Sequence, residues 1–209
     1  MPIRLRSRLA AATVSGLFVA GVGLTVPSGA NAQPVAPAGT QAQTRSAMVN
    51  CYVRPTPFRP TRMDIFGIGG GIDVLSIPRN RRSGIPGTPP ISSYGKNVVA
   101  WSTSDAAPGS YWGNVLLNAH TWPDGSALGN RLLGGLNVGD LIIMYGGGRH
   151  LCYRVTKRVV YAPRGKKMMR QYYAWRSRSQ LALVVCSGKR LGPGKWTKRT
   201  VWYASPSIG

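Results

Sequence analysis

Three side chains of this 209-residue chain have the types and order for acyl transfer. Cys186 closes the apolar run 181–186, His120 closes the run 115–120, and Arg199 opens the run 199–204. A cysteine nucleophile acts as its thiolate, and an unperturbed thiol is mostly protonated at neutral pH. A neighbouring cation favours the thiolate, and an imidazole can hold or return a proton. A guanidinium can also donate to an oxyanion developing on the substrate. Taken singly, each residue has an ordinary structural explanation: a small core thiol, a hydrogen-bonded strand-end imidazole, one arginine among many. Their order and placement, each at the edge of its own expected strand, point to a cysteine acyl-transferase.

A rival pair is His150 and Cys152. Two residues apart on one strand, they share a face, but their backbones lie about 6–7 Å apart, a poor start for directed proton transfer. If Cys186 is the nucleophile, Cys51 and Cys152 remain. Outside the cell they either form a disulfide pinning the N-terminal segment to the domain or stay as two separate thiols. The chain alone leaves both open.

The elements that must position these groups read as short strands. Val115, Leu116 and Leu117 run without alternation, as in a strand buried on both faces. Strands are also expected over 72–77, 97–101, 140–145, 149–161, 180–186 and 199–204. Gly146-Gly-Gly148 turns a hairpin. Residues 78–95 form a loop dense in Pro, Gly, Ser and Arg. A helical turn is expected near 128–133, and a connecting loop with a possible helix over 163–179. Many short strands with almost no helical period predict a single all-β barrel or sandwich.

The N-terminus reads as an export signal. Arg4, Arg6 and Arg8 precede an apolar stretch from Leu9 to Val26, and Ala30-Asn-Ala32 offers a small-residue cleavage site. Residues 1–32 are therefore expected to be a signal peptide or signal anchor, 33–62 a disordered extracytoplasmic linker, and 63–209 the folded domain. The chain carries 27 Lys+Arg against 5 Asp+Glu, a formal charge of +22. Such a surface attracts polyanions, and an exported protein meets anionic wall polymers and lipid headgroups before nucleic acid. Few, scattered acids and no Cys/His cluster argue against a metal site, and no cofactor is expected.

From about Ile72 to Ala204 the chain resembles the sortases, most closely the class E/F branch of actinobacteria. The segment Gly113-Asn-Val-Leu-Leu-Asn-Ala-His120-Thr121 is similar to the family's histidine-bearing segment, which commonly ends Gly-His-Thr. Leu136-x-x-Gly139-Asp140 and Tyr153-Arg-Val155 resemble the following turn and strand. Leu183-Val-Val-Cys186 matches the family's Leu-x-Thr-Cys, and Arg199-Thr-Val-Trp-Tyr-Ala204 its last strand. Two positions depart: Val185 replaces the threonine before the cysteine, and Ala119 the glycine before the histidine.

The resemblance implies a closed eight-stranded β-barrel with short helical turns in its loops. It implies a cysteine transpeptidase acting on a Leu-Pro-x-Thr-Gly-like sorting signal through a thioacyl intermediate. Cys186 would be the nucleophile, His120 the acid and base, and Arg199 the oxyanion donor. Thr121, Val185 and Ser187 are candidate substrate contacts. The implied partners are sorting-signal peptides of exported proteins and an amine on a peptidoglycan precursor or pilin. The protein is expected to be a monomer on the anionic cell envelope. An alternative is a sortase-like barrel that has lost turnover and binds anionic wall polymers.

Overall fold

A computed structural model of the chain describes Cys51, residues 56–175 and residues 177–208. The export signal and most of the expected linker lie outside these residues. The apolar runs become strands: β1 (Arg62–Ile65), β2 (Gly69–Ile77), β3 (Val99–Ser102), β4 (Asn114–Ala119), β5 (Leu141–Gly146), β6 (Arg149–Tyr161), β7 (Gln180–Gly192) and β8 (Lys195–Pro206). They close into a barrel in the order β1-β2-β3-β4-β7-β8-β6-β5. This is the closed eight-stranded β-barrel that the resemblance implies, and of the barrel or sandwich left open by the strand pattern it is the barrel. The β2/β3 and β4/β7 pairs are parallel and the others antiparallel. Parallel neighbours need long crossovers, which is where the irregular segments go.

Alternation along each strand divides the barrel into an inside and an outside. Val115, Leu117 and Ala119 of β4, Leu181, Leu183 and Val185 of β7, and Trp202 and Ala204 of β8 fill the interior with Met63, Ile142 and Tyr153. The intervening residues Leu116, Ala182, Val184, Val201 and Tyr203 face outward, yet are also buried. Met168 and Tyr172 of the helix α2 (Lys166–Tyr172) cover them. Burial on both faces explains the unbroken apolar runs at 115–117 and 181–185. A second helix, α1 (Leu128–Gly135), buries Leu128 and Leu132 against the interior cluster.

Several boundaries differ from expectation: β2 begins three residues before the expected 72, β3 runs over 99–102 instead of 97–101, and three departures are larger. β1 was not expected as a strand; its four residues include an arginine and an aspartate, and the pairing with β2 and β5 supplies what the local pattern lacks. Phe58, on the linker side of position 63, is buried in the core, and its N–H bonds the Pro108 carbonyl at 3.1 Å. Finally, β7 runs six residues past Cys186, and β8 starts four residues before Arg199. Ladder pairing between two long antiparallel arms carries the polar stretch beyond the apolar core. The pairs Ser187↔Lys198, Arg190↔Trp196 and Gly192↔Lys195 extend it across two irregularities.

Cys51 and Cys152 form a disulfide, with Cα atoms 5.5 Å apart. Both pack with Ile143 on the β5/β6 face. Among the described residues no helix is long and apolar enough to cross a membrane.

Candidate active site

The disulfide settles the rivalry among the thiols. Cys152 is bonded to Cys51, so it offers no thiolate beside His150, and Cys186 is the free cysteine.

Cys186 lies mid-strand rather than at a strand end, directly opposite Arg199 in the β7/β8 ladder. On the other side, β4 and β7 run in parallel with Ala119 beside Val185 as their last registered pair. His120 follows the end of β4, and Cys186 is the next residue of β7. The Thr121 hydroxyl donates to the Cys186 carbonyl at 2.7 Å and ties the strands beyond the ladder's end. Cys186 continues the outward row of Ala182 and Val184, and Arg199 that of Tyr203 and Val201. Asn118 of β4 and the His120 ring just beyond it meet the same loop segment, at the Gly87 and Pro89 carbonyls. Thus Cys186 and Arg199, 13 residues apart in sequence, lie opposite each other on β7 and β8, and His120 follows the end of β7's parallel neighbour β4.

The half-buried thiol is opposed by two influences. Burial pushes the Cys186 thiol above its ordinary value, and the positive charge of Arg199 pulls it partly back. The protonated thiol therefore predominates at neutral pH, with Arg199 favouring the thiolate minority. The Arg199 Nη1 donates to the carbonyls of Lys198 at 2.9 Å and Trp196 at 3.3 Å, which holds the guanidinium on its own hairpin arm. The His120 ring is half-buried, and its Nε2 lies 2.7 Å from the Pro89 carbonyl oxygen.

The remaining candidates have different surroundings. Val185 belongs to the barrel core, and Ser187 is buried with its hydroxyl 2.9 Å from that of Thr200. Neither side chain lies on the thiol's side of the sheet, so the expectation that they contact substrate through their side chains is not supported. The departures Ala119 and Val185 are registered neighbours whose methyl groups both pack inward. They exchange a small and a polar residue for apolar ones in the core without placing new atoms on the outer face. Thr121 is buried and acts on the Cys186 backbone.

Two contributors were not foreseen. One is Gly129 in the first turn of α1: its N–H donates to the His120 carbonyl at 2.8 Å, and a Cβ there would lie 2.4 Å from that oxygen. The other is the segment 86–90, whose carbonyls meet the outer side chains of β4. A Gly-Thr-Pro-Pro sequence signals only a loop, and nothing local says what the loop covers.

No family model matches the chain, and no curated protein matches its sequence. Solved structures do match its fold. Sortase C1 of Streptococcus agalactiae is 15% identical with a TM-score of 0.52, covering 75% of this chain and 73% of that one. Sortase C1 of Streptococcus suis is 16% identical with a TM-score of 0.52, covering 71% and 72%. Sortase A of Corynebacterium diphtheriae is 15% identical with a TM-score of 0.52, covering 74% and 61%. The closed barrel built from this sequence has the fold of the sortases.

Proposed function

We propose that this chain is an extracytoplasmic cysteine transpeptidase of the sortase type. One observation supports the reading above all: the free thiol of Cys186 lies opposite Arg199 across the β7/β8 ladder, and His120 follows the end of β4, the parallel neighbour of β7. The sortase-like fold supports it.

In this reading the Cys186 thiolate attacks the threonine carbonyl carbon of a Leu-Pro-x-Thr-Gly-like signal. Arg199 donates to the resulting oxyanion. The C–N bond breaks as the His120 imidazolium gives its proton to the leaving glycine amine, and a thioester remains on Cys186. An acceptor amine then loses a proton to the neutral imidazole and attacks the thioester. Thiolate leaves, and a new amide joins the protein to a peptidoglycan precursor or pilin. Because burial favours the neutral thiol, only the thiolate fraction reacts, and substrate that excludes water further strengthens its attraction to Arg199. The basic surface and the N-terminal signal support an activity at the anionic envelope.

A second reading is a barrel without turnover that binds anionic wall polymers. It is favoured by two hydrogen bonds, which attach Arg199 to the Trp196 and Lys198 carbonyls. The full chain incubated with a fluorogenic sorting peptide separates the two. Cleavage that vanishes in Cys186→Ala, with a covalent adduct of a vinyl sulfone peptide on Cys186, supports the enzyme. No cleavage and no adduct, with salt-sensitive wall binding unchanged in Cys186→Ala, supports the binding module.

A further inference from the structure

The Asn118 amide donates to the Gly87 carbonyl at 2.8 Å, and the His120 ring meets the Pro89 carbonyl at 2.7 Å. Alternate side chains of one strand thus bond alternate carbonyls of one loop segment, in strand-like register. The segment is held from behind as well. The Gly87 N–H donates to the Pro78 carbonyl at 3.1 Å, and Pro86 bridges to Arg79. Arg79 is itself fastened to Asp105, with Nε 3.0 Å from the carboxylate, and Nη1 donates to the Gly84 carbonyl at 2.8 Å. Gly87 is packed so closely that a Cβ would lie 2.1 Å from Cγ2 of Ile77 and 2.7 Å from the Pro78 oxygen. Pro86 and Pro89 are buried. Pro90 restrains the residue before it to extended backbone and carries no N–H, so the Pro89 carbonyl is aimed by a stiff segment.

A carbonyl only accepts hydrogen bonds. A neutral imidazole bonded to one must therefore carry its proton on the bonded nitrogen, leaving the other with the lone pair. Enzymes that use an imidazole base commonly orient it with a carboxylate. Here all five aspartates bond groups elsewhere: Asp64 with Gly71 and Tyr145, Asp73 with Tyr94, Asp105 with Arg79 and Ser102, Asp124 with Ser126, and Asp140 with Asn137.

We propose that the Pro89 backbone carbonyl is the positioning group for His120: it holds a proton on Nε2, fixes the ring plane, and leaves Nδ1 as the nitrogen that exchanges protons with thiol and amine. The catalytic half of this statement rests on the transpeptidase reading; the ring's orientation does not. Residues 86–90 are a positioning element, touching His120 rather than the reacting atoms.

The chain has two histidines, so His150→Gln leaves a single imidazole for nitrogen NMR. In the ¹⁵N-histidine-labelled full chain bearing this change, the neutral ring should be the Nε2–H tautomer, with an Nε2 proton that exchanges slowly with water. Gly87→Ala, which forces the segment away, should speed that exchange at least tenfold. Asn118→Ala, a milder release without a backbone collision, should do so severalfold if Gly87→Ala does not fold. Both should lower kcat for sorting-peptide cleavage about tenfold, by misorienting the base. An Nδ1–H tautomer, or Nε2–H exchange as fast as in a free imidazole, overturns the proposal even if the wild-type chain cleaves peptide. So does Nε2–H protection unchanged in both variants. A protected, variant-sensitive Nε2–H in a chain that never cleaves peptide upholds the orientation and overturns the transpeptidase reading.

Discussion

Gly129→Ala tests whether α1 sets the position of His120. The added methyl would lie 2.4 Å from the His120 carbonyl oxygen, 2.7 Å from Thr121 Oγ1 and 2.9 Å from the His120 carbonyl carbon. Two of these are backbone atoms, so no rotamer relieves the collision. Restoring ordinary contact needs a displacement of about 0.8 Å or more. Overpacking of this kind costs about 1–3 kcal/mol, and loss of the Gly129–His120 hydrogen bond about 1 kcal/mol. Better helix propensity returns about 0.5–1 kcal/mol. The net destabilisation is about 1–3 kcal/mol, a fall in Tm of roughly 3–10 °C for a domain of this size. An internal control lies on the same helix. A methyl added at Gly134 would meet nothing within 4 Å, so Gly134→Ala should stabilise by about 0.5–1 kcal/mol. Thermal unfolding followed by circular dichroism reads both. A shift near 1 Å at His120 should also reduce peptide cleavage by about 10²-fold in Gly129→Ala and leave Gly134→Ala unchanged. If Gly129→Ala melts at or above the wild-type temperature, the close packing of α1 on the His120–Thr121 backbone is refuted.

Three further outcomes follow from the same geometry. Burial raises the Cys186 thiol above its ordinary value, so its iodoacetamide alkylation rate should still be climbing at a pH where free cysteine has levelled off; Arg199→Gln removes the opposing charge and should slow alkylation at pH 7.5 by about three- to tenfold. The same shift has a stability consequence: the unfolded thiol ionises first, so this group's contribution falls as pH rises from the ordinary thiol value through the folded one. Reducing the Cys51–Cys152 bond, which spans 101 residues, should cost about 4 kcal/mol and lower Tm by roughly 10 °C in a thermal scan with and without reductant. Thr121→Val deletes the donor to the Cys186 carbonyl and should cost about 1 kcal/mol and most of the cleavage activity, whereas Thr121→Ser, which keeps the hydroxyl, should retain both in a parallel melt and peptide assay.

The parts of the fold legible in the sequence were those buried on both faces. The runs 115–117 and 181–185 are apolar at every position because α2 covers outside what the core covers inside, so β4 and the first half of β7 could be placed closely. The hairpin glycines mark where β6 begins. β1 could not be read, since its two ladders are made with residues far along the chain. The extension of β7 and β8 was hidden for a similar reason: residues 187–192 and 195–198 are mostly polar or glycine, and only pairing of two antiparallel arms makes them strand. At the candidate site, the three reactive side chain types and their order were visible. Their partners were not, because those partners are backbone atoms: the carbonyls of Pro89, Cys186 and His120 carry no residue-type signature. The free or bonded state of Cys51 and Cys152 was equally invisible, since both choices suit an exported chain until the β5/β6 face brings the two Cα atoms to 5.5 Å.

The cross-link between residues 51 and 152 also decides how the barrel meets mechanical load. Tension arriving along the polypeptide from upstream does not reach residue 62 by way of the main chain, because the sulfur bridge is the shorter route. It enters at residue 152, inside a thirteen-residue strand flanked on both sides, instead of at the end of a four-residue one. Load at residue 152 meets the long β5/β6 and β6/β8 ladders, whereas load at residue 62 would meet the shorter ladders of β1. Reduction of the bridge would move the point where such load enters from β6 back to β1.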